Sequence, residues 1–327
     1  MHRDLGINLA RITEAAALGS ARFLGKGDKE KADRRAVDEM RSIFNLLNIN
    51  GEVVIGEGEI DDAPMLYIGE ILGDKDADDM VDIAVDPIDG TAALADGMPN
   101  AIAVLAVAPK GNIMHGPDVY MKKICVGPKA RGKIDINKPV AENVRIVAES
   151  LDKSVEEVTV TVLKRERHDN LIKAIRETGA RINLVNDGDI LPAIETCLTG
   201  GTDMLIGIGG APEGILAAAA VKCLRGDFQA VFWPSDGKQV QRCLEKNIDL
   251  QKVYYMDDLI KGEDIVFAAT GITGGSMLDG VEFLPNNYAK TESVVLRLPS
   301  ETIRYISSVH NLETKYIDKD LILSDED

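Results

Sequence analysis

Twice in the first third of the chain a short β-branched run ends in a burst of acids, and this repeated pattern constrains the fold more than any other feature. In "GEVVIGEGEIDDAPML" the run Val53 to Ile55 stops at Gly-Glu-Gly-Glu, followed by two aspartates and a proline suited to a helix start. In "MVDIAVDPIDGT" the run Val81 to Val85 ends in Asp86, Pro87 and Asp89, with Gly90 and Thr91 opening a helix whose N–H groups can receive an anion. Both read as buried strands with acids at the C-terminal end, the edge where open α/β sheets bind ligands. A hydrophobic content of 45% with only 4% aromatic residues suits helices packed on sheets better than an aromatic-rich β-sandwich, so an α/β class is expected.

Carboxylates gathered at such an edge repel a phosphate unless divalent cations lie between. Oxygen-only ligands select Mg²⁺ or Mn²⁺, and the lack of a His/Cys cluster argues against zinc. Metal-assisted phosphoryl transfer or hydrolysis is the chemistry this implies. Two further acids fit the pattern. Val37, Met40, Phe44 and Leu47 write one face of a helix after the "GKGD" break, and Asp33 falls on that inward stripe, where a charge is costly unless neutralised; a favourable place in the helix dipole is the other explanation. In "DMLIGIGGAPEGILAAAAVKCL" a strand, Met204 to Ile208, meets Pro212 and Glu213 at the head of an alanine-rich helix. The stretch lacks GxGxxG spacing, and an acid at its mouth would oppose a pyrophosphate. Glu213 could serve as a first-turn acid, but a fourth acid at a strand-to-helix turn favours the cluster.

The net charge of −17 opposes nucleic acid or anionic lipid as partners, so an anionic small substrate needs cations or a local basic cluster to reverse the field. "KRERH", Lys164 to His168, is the densest such cluster, with a solvated helix start as its plainer explanation. His168, beside the arginines, could stabilise a phosphate, although a lone histidine is more often structural, and His2, His115 and His310 show no ligand spacing. Cys125, Cys197, Cys223 and Cys243 sit singly without CxxC spacing, as reduced structural thiols do. The first 25 residues carry an amphipathic helix rather than a signal core, and no stretch approaches the ~20 apolar residues of a membrane span, so a cytoplasmic setting is expected. The tail segments "EDIVFAATGIT", "GVEFL" and "ESVVLRL" alternate like antiparallel strands and are expected to complete a second sheet.

"DPIDGT" resembles the metal motif of the lithium-sensitive phosphatases. The blocks "GDKEKADRRAVDEM", "VVIGEGEIDDAPMLYIGE", "PNAIAVLAVAPKG", "PDVYMKKICVGP", "DGDI" and "GIGGAPEG" narrow the likeness to the class II fructose-1,6-bisphosphatases of bacteria; no inositol-phosphatase WDxAAG block occurs, and GGAPEG stands in its place. The resemblance implies Mn²⁺ or Mg²⁺, with Asp33 and Glu57 on one ion and Asp86, Asp89 and Glu213 on another. Asp89, Gly90 and Thr91 would also touch substrate, as would Tyr120, Arg165, Glu166, Arg167, Asp187, Gly188, Asp189 and Gly210; the usual pattern has proline at Glu166. Thr91 would orient the attacking water or the leaving group, and Asp61 would relay a proton. The implied architecture is a layered α/β/α/β/α sugar-phosphatase fold, residues 1–145 forming the metal-binding half and 146–327 the sugar-phosphate half with the second sheet. The implied reaction is hydrolysis of the 1-phosphate of fructose 1,6-bisphosphate, a gluconeogenic step. Sedoheptulose 1,7-bisphosphate or an inositol phosphate as substrate, or a sugar-phosphate sensor without turnover, are the alternatives. A homo-oligomer, dimer or tetramer, is expected.

Overall fold

The computed structural model describes residues 1, 4–58, 65–198 and 201–314. The chain opens with helices α1 (Leu5–Ser20) and α2 (Lys29–Phe44), then strands β1 (Asn50–Ile55), β2 (Ile71–Gly73) and β3 (Met80–Asp89), the short helix α3 (Thr91–Ala95) and β4 (Ile102–Pro109). The middle runs β5 (Tyr120–Val126), α4 (Val140–Leu151), β6 (Thr159–Leu163), α5 (Asp169–Glu177), β7 (Arg181–Val185), α6 (Ile190–Glu195), β8 (Met204–Gly210) and α7 (Ala211–Cys223). It continues through β9 (Asp227–Phe232), α8 (Gly237–Glu245), β10 (Tyr254–Tyr255) and α9 (Met256–Leu259). Strands β11 (Val266–Gly271), β12 (Glu282–Leu284), β13 (Tyr288–Arg297) and β14 (Thr302–Asn311) follow. The fold is mixed α/β, helices layered on two mixed sheets.

Two compact units result: Met1–Lys110 with Val266–Asp327, and Gly111–Ile265. The division expected near residue 146 therefore differs from these boundaries. The tail also differs from expectation: its strands are antiparallel, but they extend the first sheet, ordered β12-β13-β11-β4-β3-β1-β2 with β14 on β13. The physical reason lies in α1. Leu5, Leu9, Ile12 and Ala16 are buried in one core with Val85, Leu105, Val266, Ala268 and Val295, so this helix needs β11 and β13 beneath it as much as β3 and β4. A buried hydroxyl chain runs through that contact, Thr13 to Thr270 at 2.6 Å and Thr270 to Ser293 at 2.7 Å. On α2, Asp28 caps the N-terminus by accepting the Lys31 N–H at 3.0 Å, while Val37, Met40 and Phe44 are buried as their spacing requires.

The other unit holds a sheet ordered β10-β9-β5-β8-β6-β7, in which β6 runs parallel to β7 and β8. Ile124 and Val126 share a core with Val144 and Val147 of α4 and Ile172 and Ile175 of α5. The alternate positions of β5, Met121, Lys123 and Cys125, face the opposite way. There α7 lies along β5, β8 and β9. From Gly214 to Cys223 this helix is buried throughout, as its alanine-rich composition allows. Among the described residues no helix is long and apolar enough to cross a membrane.

Candidate active site

In the first unit α2 and the segment after β1 bring two of the expected ligands together. The carboxyl groups of Asp33 and Glu57 hydrogen-bond each other; burial pushes Asp33 above the usual carboxylate range, and the bond to Glu57 pulls it back. Two carboxyls in this contact require a proton or a cation between them. The loop carrying Glu57 is pinned at its base. The Glu57 N–H donates to the Leu66 carbonyl at 3.0 Å, and the Leu66 N–H donates to Glu70 Oε2 at 2.5 Å. Arg41 Nε, from the same helix as Asp33, donates to Glu70 Oε1 at 2.8 Å. One helix thus supplies one carboxylate and anchors the loop that supplies the other. Asp61 lies outside the described residues.

Strand β3 explains its own aspartates. Asp86 pairs with Val104 of β4 and Asp89 with Ile102, so three steps along β3 match two along β4 and one extra residue bulges out. In a regular strand positions three apart face opposite sides; the bulge puts Asp86 and Asp89 on the same side, away from the α1 and α2 core that takes Val85 and Ile88. Asp86 Oδ1 accepts the Ile88 N–H at 3.0 Å, and Thr91 Oγ1 donates to the Ile88 carbonyl at 3.0 Å. Gly90, at φ 94°, makes the left-handed turn that only glycine takes readily, and the helix it opens is only five residues long.

The second unit gathers its residues where the C-terminal ends of β6, β7 and β8 meet the start of β5. The Arg167 guanidinium lies 4.6 Å from the centre of the Tyr120 ring and donates to the Ile208 carbonyl at 2.9 and 3.2 Å. Arg165 donates to Asp187 at 3.2 Å and to the Asn186 carbonyl. Glu166, exposed, starts the single 3-10 turn between them. His168 is the structural histidine its isolation suggested. Its Nδ1 lies 2.7 Å from the Leu163 carbonyl and its Nε2 accepts the Ile208 N–H at 2.8 Å, so the ring is neutral with its proton on Nδ1; burial lowers its pKa accordingly. The "DGD" turn splits its acids. Gly188, at φ 70°, turns the chain so that Asp187 meets Arg165 near the surface while Asp189 is buried.

Asp189 leads to a residue that motif reading overlooked. Lys123, buried on β5, places Nζ 2.7 Å from Asp189 Oδ2 and 3.3 Å from the Gly210 carbonyl. Its signal was a lysine in the inward register of "YMKKICV", alternating with Met121 and Cys125. Glu213, in the first turn of α7, is half-buried, and its enclosed Oε2 meets no hydrogen-bond partner among the described residues; desolvation pushes its pKa up, and the charge of Lys123 pulls it down. A β-carbon on Gly210 would stand 1.9 Å from that oxygen, so any larger residue there would displace the Glu213 carboxyl.

Among the described residues no three His, Cys, Asp or Glu side chains form a ready cage for an ion. The expected ligands are shared out instead: Asp33, Glu57, Asp86 and Asp89 belong to one unit and Glu213 to the other.

Fructose-1,6-bisphosphatase 1 class 2 of Escherichia coli is 45% identical over 329 residues, 96% of this chain and 97% of that protein. Fructose-1,6-bisphosphatase class 2 of Haemophilus influenzae is 44% identical over 330 residues, 97% of this chain and 98% of its own. Among solved structures, an extragenic suppressor from Pyrococcus furiosus covers 56% of this chain and 65% of its own at 16% identity and TM-score 0.29. The extragenic suppressor protein suhB of Bartonella henselae covers 60% and 74% at 13% identity and TM-score 0.34. Similarities that low carry no argument. The family described as "Bacterial fructose-1,6-bisphosphatase, glpX-encoded" matches residues 3–310, and with relatives this similar along nearly their whole length, the chain belongs to the class 2 fructose-1,6-bisphosphatases.

Proposed function

We propose that the protein hydrolyses the 1-phosphate of fructose 1,6-bisphosphate, releasing fructose 6-phosphate and phosphate as a gluconeogenic enzyme. The observation that carries this reading is 45% identity across 96% of the chain to a protein named for that substrate. The residues suit it chemically. Unit one offers carboxylates at strand ends, and unit two offers guanidiniums and an aromatic ring at one sheet edge.

The acids fit a hard divalent cation: the donors are all oxygens, Asp33 and Glu57 touch in a way that calls for positive charge between them, and Glu213 keeps an enclosed oxygen without a partner among the described residues. Asp33 and Glu57 would hold one ion, Mn²⁺ or Mg²⁺, and the resemblance assigns Asp86, Asp89 and Glu213 to another. A divalent cation held there supplies Lewis acidity toward phosphate oxygens and lowers the pKa of water. The protein's own groups do the rest. Arg165 and Arg167 bind the phosphate that is not cleaved, Tyr120 backs Arg167, and Asp187 orients Arg165. Thr91 commits its proton to the Ile88 carbonyl, which turns its oxygen lone pairs toward an incoming water or leaving group. Asp61 is assigned the proton relay.

A cytoplasmic setting is supported by Cys125, Cys197, Cys223 and Cys243, which are thiols rather than disulfides. A homo-oligomer, dimer or tetramer, is supported by Ile303, Tyr305 and Val309, exposed on one side of the edge strand β14.

The test is phosphate release from fructose 1,6-bisphosphate with Mn²⁺, with Mg²⁺ and with EDTA, beside sedoheptulose 1,7-bisphosphate and an inositol phosphate. Release that depends on the ion, and the highest kcat/KM on fructose 1,6-bisphosphate, are expected. Equal release in EDTA removes the metal role, and a higher kcat/KM elsewhere reassigns the substrate. Arg167→Ala is expected to lower kcat/KM on the bisphosphate by about 10²-fold, the scale of a lost charge-assisted phosphate contact, with little change on a small aryl phosphate. Equal losses on both would place Arg167 outside the remote phosphate pocket.

A further inference from the structure

Lys123 is among the largest fully buried side chains in the protein, and its ion pair with Asp189 leaves the two side chains only 2% and 5% exposed. Breaking such a pair is costly, yet replacing it whole with apolar groups is often neutral or better, so stability alone does not explain its presence. Its surroundings are built for it. A β-carbon on Gly209 would stand 2.4 Å from Asp189 Oδ2 and 2.9 Å from Lys123 Nζ, so the strand leaves a side chain out where the pair lies. The ammonium also reaches the Gly210 carbonyl at 3.3 Å. Asp189 and Gly210 are two of the positions proposed to meet the sugar phosphate, and both are held by this one side chain. Holding Asp189 through Oδ2 fixes the rotation of the carboxylate and therefore the direction of Oδ1, the oxygen left to accept from a sugar hydroxyl.

We infer that Lys123 is a positioning residue for the sugar phosphate, setting the orientation of Asp189 and of the Gly210 peptide; this rests on fructose 1,6-bisphosphate being the substrate. The ammonium is held by Asp189 and the Gly210 carbonyl, and its charge also acts on Glu213, so its removal is read on binding of the sugar phosphate. The test is calorimetric titration of the protein with fructose 6-phosphate in the presence of Mn²⁺, with melting temperatures measured beside it. Lys123→Met is expected to weaken binding about tenfold or more, the scale of losing a charge-assisted hydrogen bond's guidance. Gly209→Ala, which keeps both charges and displaces the pair, is expected to weaken it in the same direction by a smaller factor. A folded Lys123→Met variant with a lower melting temperature and affinity within twofold of the parent overturns the inference, because a purely structural lysine behaves that way. If Lys123→Met fails to fold, unchanged affinity in Gly209→Ala overturns it and a loss there supports it. A parent protein that binds fructose 6-phosphate but releases no phosphate from the bisphosphate would sink the reaction assignment, while the affinities of the variants still decide the role of Lys123.

Discussion

Asp86→Asn is expected to lower kcat by about 10²-fold or more, while the melting temperature stays within a few degrees of the parent. The substitution keeps the shape of the side chain and an oxygen able to accept the Ile88 N–H, so the bulge of β3 retains its local bond. What it removes is one negative charge and a strong ligand for a hard cation. Ion binding in EDTA-treated protein, followed by calorimetry with Mn²⁺, should weaken in parallel with the rate. A folded variant with near-normal kcat and unchanged ion affinity would show that Asp86 holds no metal.

Glu213→Gln should move two readouts in opposite directions. Without metal, one carboxylate oxygen is enclosed with no partner among the described residues, and desolvation raises the pKa above that of the unfolded chain. A raised folded-state value means that the carboxyl costs nothing below the unfolded pKa and weakens the fold as pH rises toward and through the folded one. Glutamine cannot ionise. In EDTA the variant should therefore match the parent near pH 4 and melt higher at neutral pH, by roughly 3 °C per kcal/mol relieved. With Mn²⁺ present, kcat should fall about 10²-fold because a ligand charge is gone. A lower melting temperature in EDTA together with unchanged kcat would make Glu213 an ordinary structural acid.

Much of the side proposed to hold metal is legible in the chain as strands and helix faces because those signals are local. A β-branched run that stops at acids marks β1 and β3, and the aspartate on an apolar helical stripe marks Asp33, which does meet Glu57. The bulge that turns Asp86 and Asp89 to one side could not be read, since it exists only in the pairing of β3 with β4. The same limit applies to the tail. Alternation in "ESVVLRL" announces a strand but not which sheet it joins, and β11 chooses β4 because α1 requires that surface. The arginines of "KRERH" were visible as charge; that one would rest on Tyr120 and the other on Asp187 depends on contacts across β5 and β7. Lys123 was hidden by adjacency to Lys122, whose ammonium bonds the Ile136 carbonyl. Only the inward register of β5 tells the two apart.

The order in which the chain is made has a bearing on the first unit. α1 leaves the ribosome with its apolar side uncovered, and two of the strands that cover it, β11 and β13, begin only at Val266 and Tyr288. The pairing edge of β4 is left open for as long. Every strand of the second unit, by contrast, finds its partners within Gly111–Ile265. A nascent chain can therefore complete the middle of the molecule while its beginning is still waiting for its end. The exposure to misassembly falls on α1 and β4, whose contacts span the longest loops and close last.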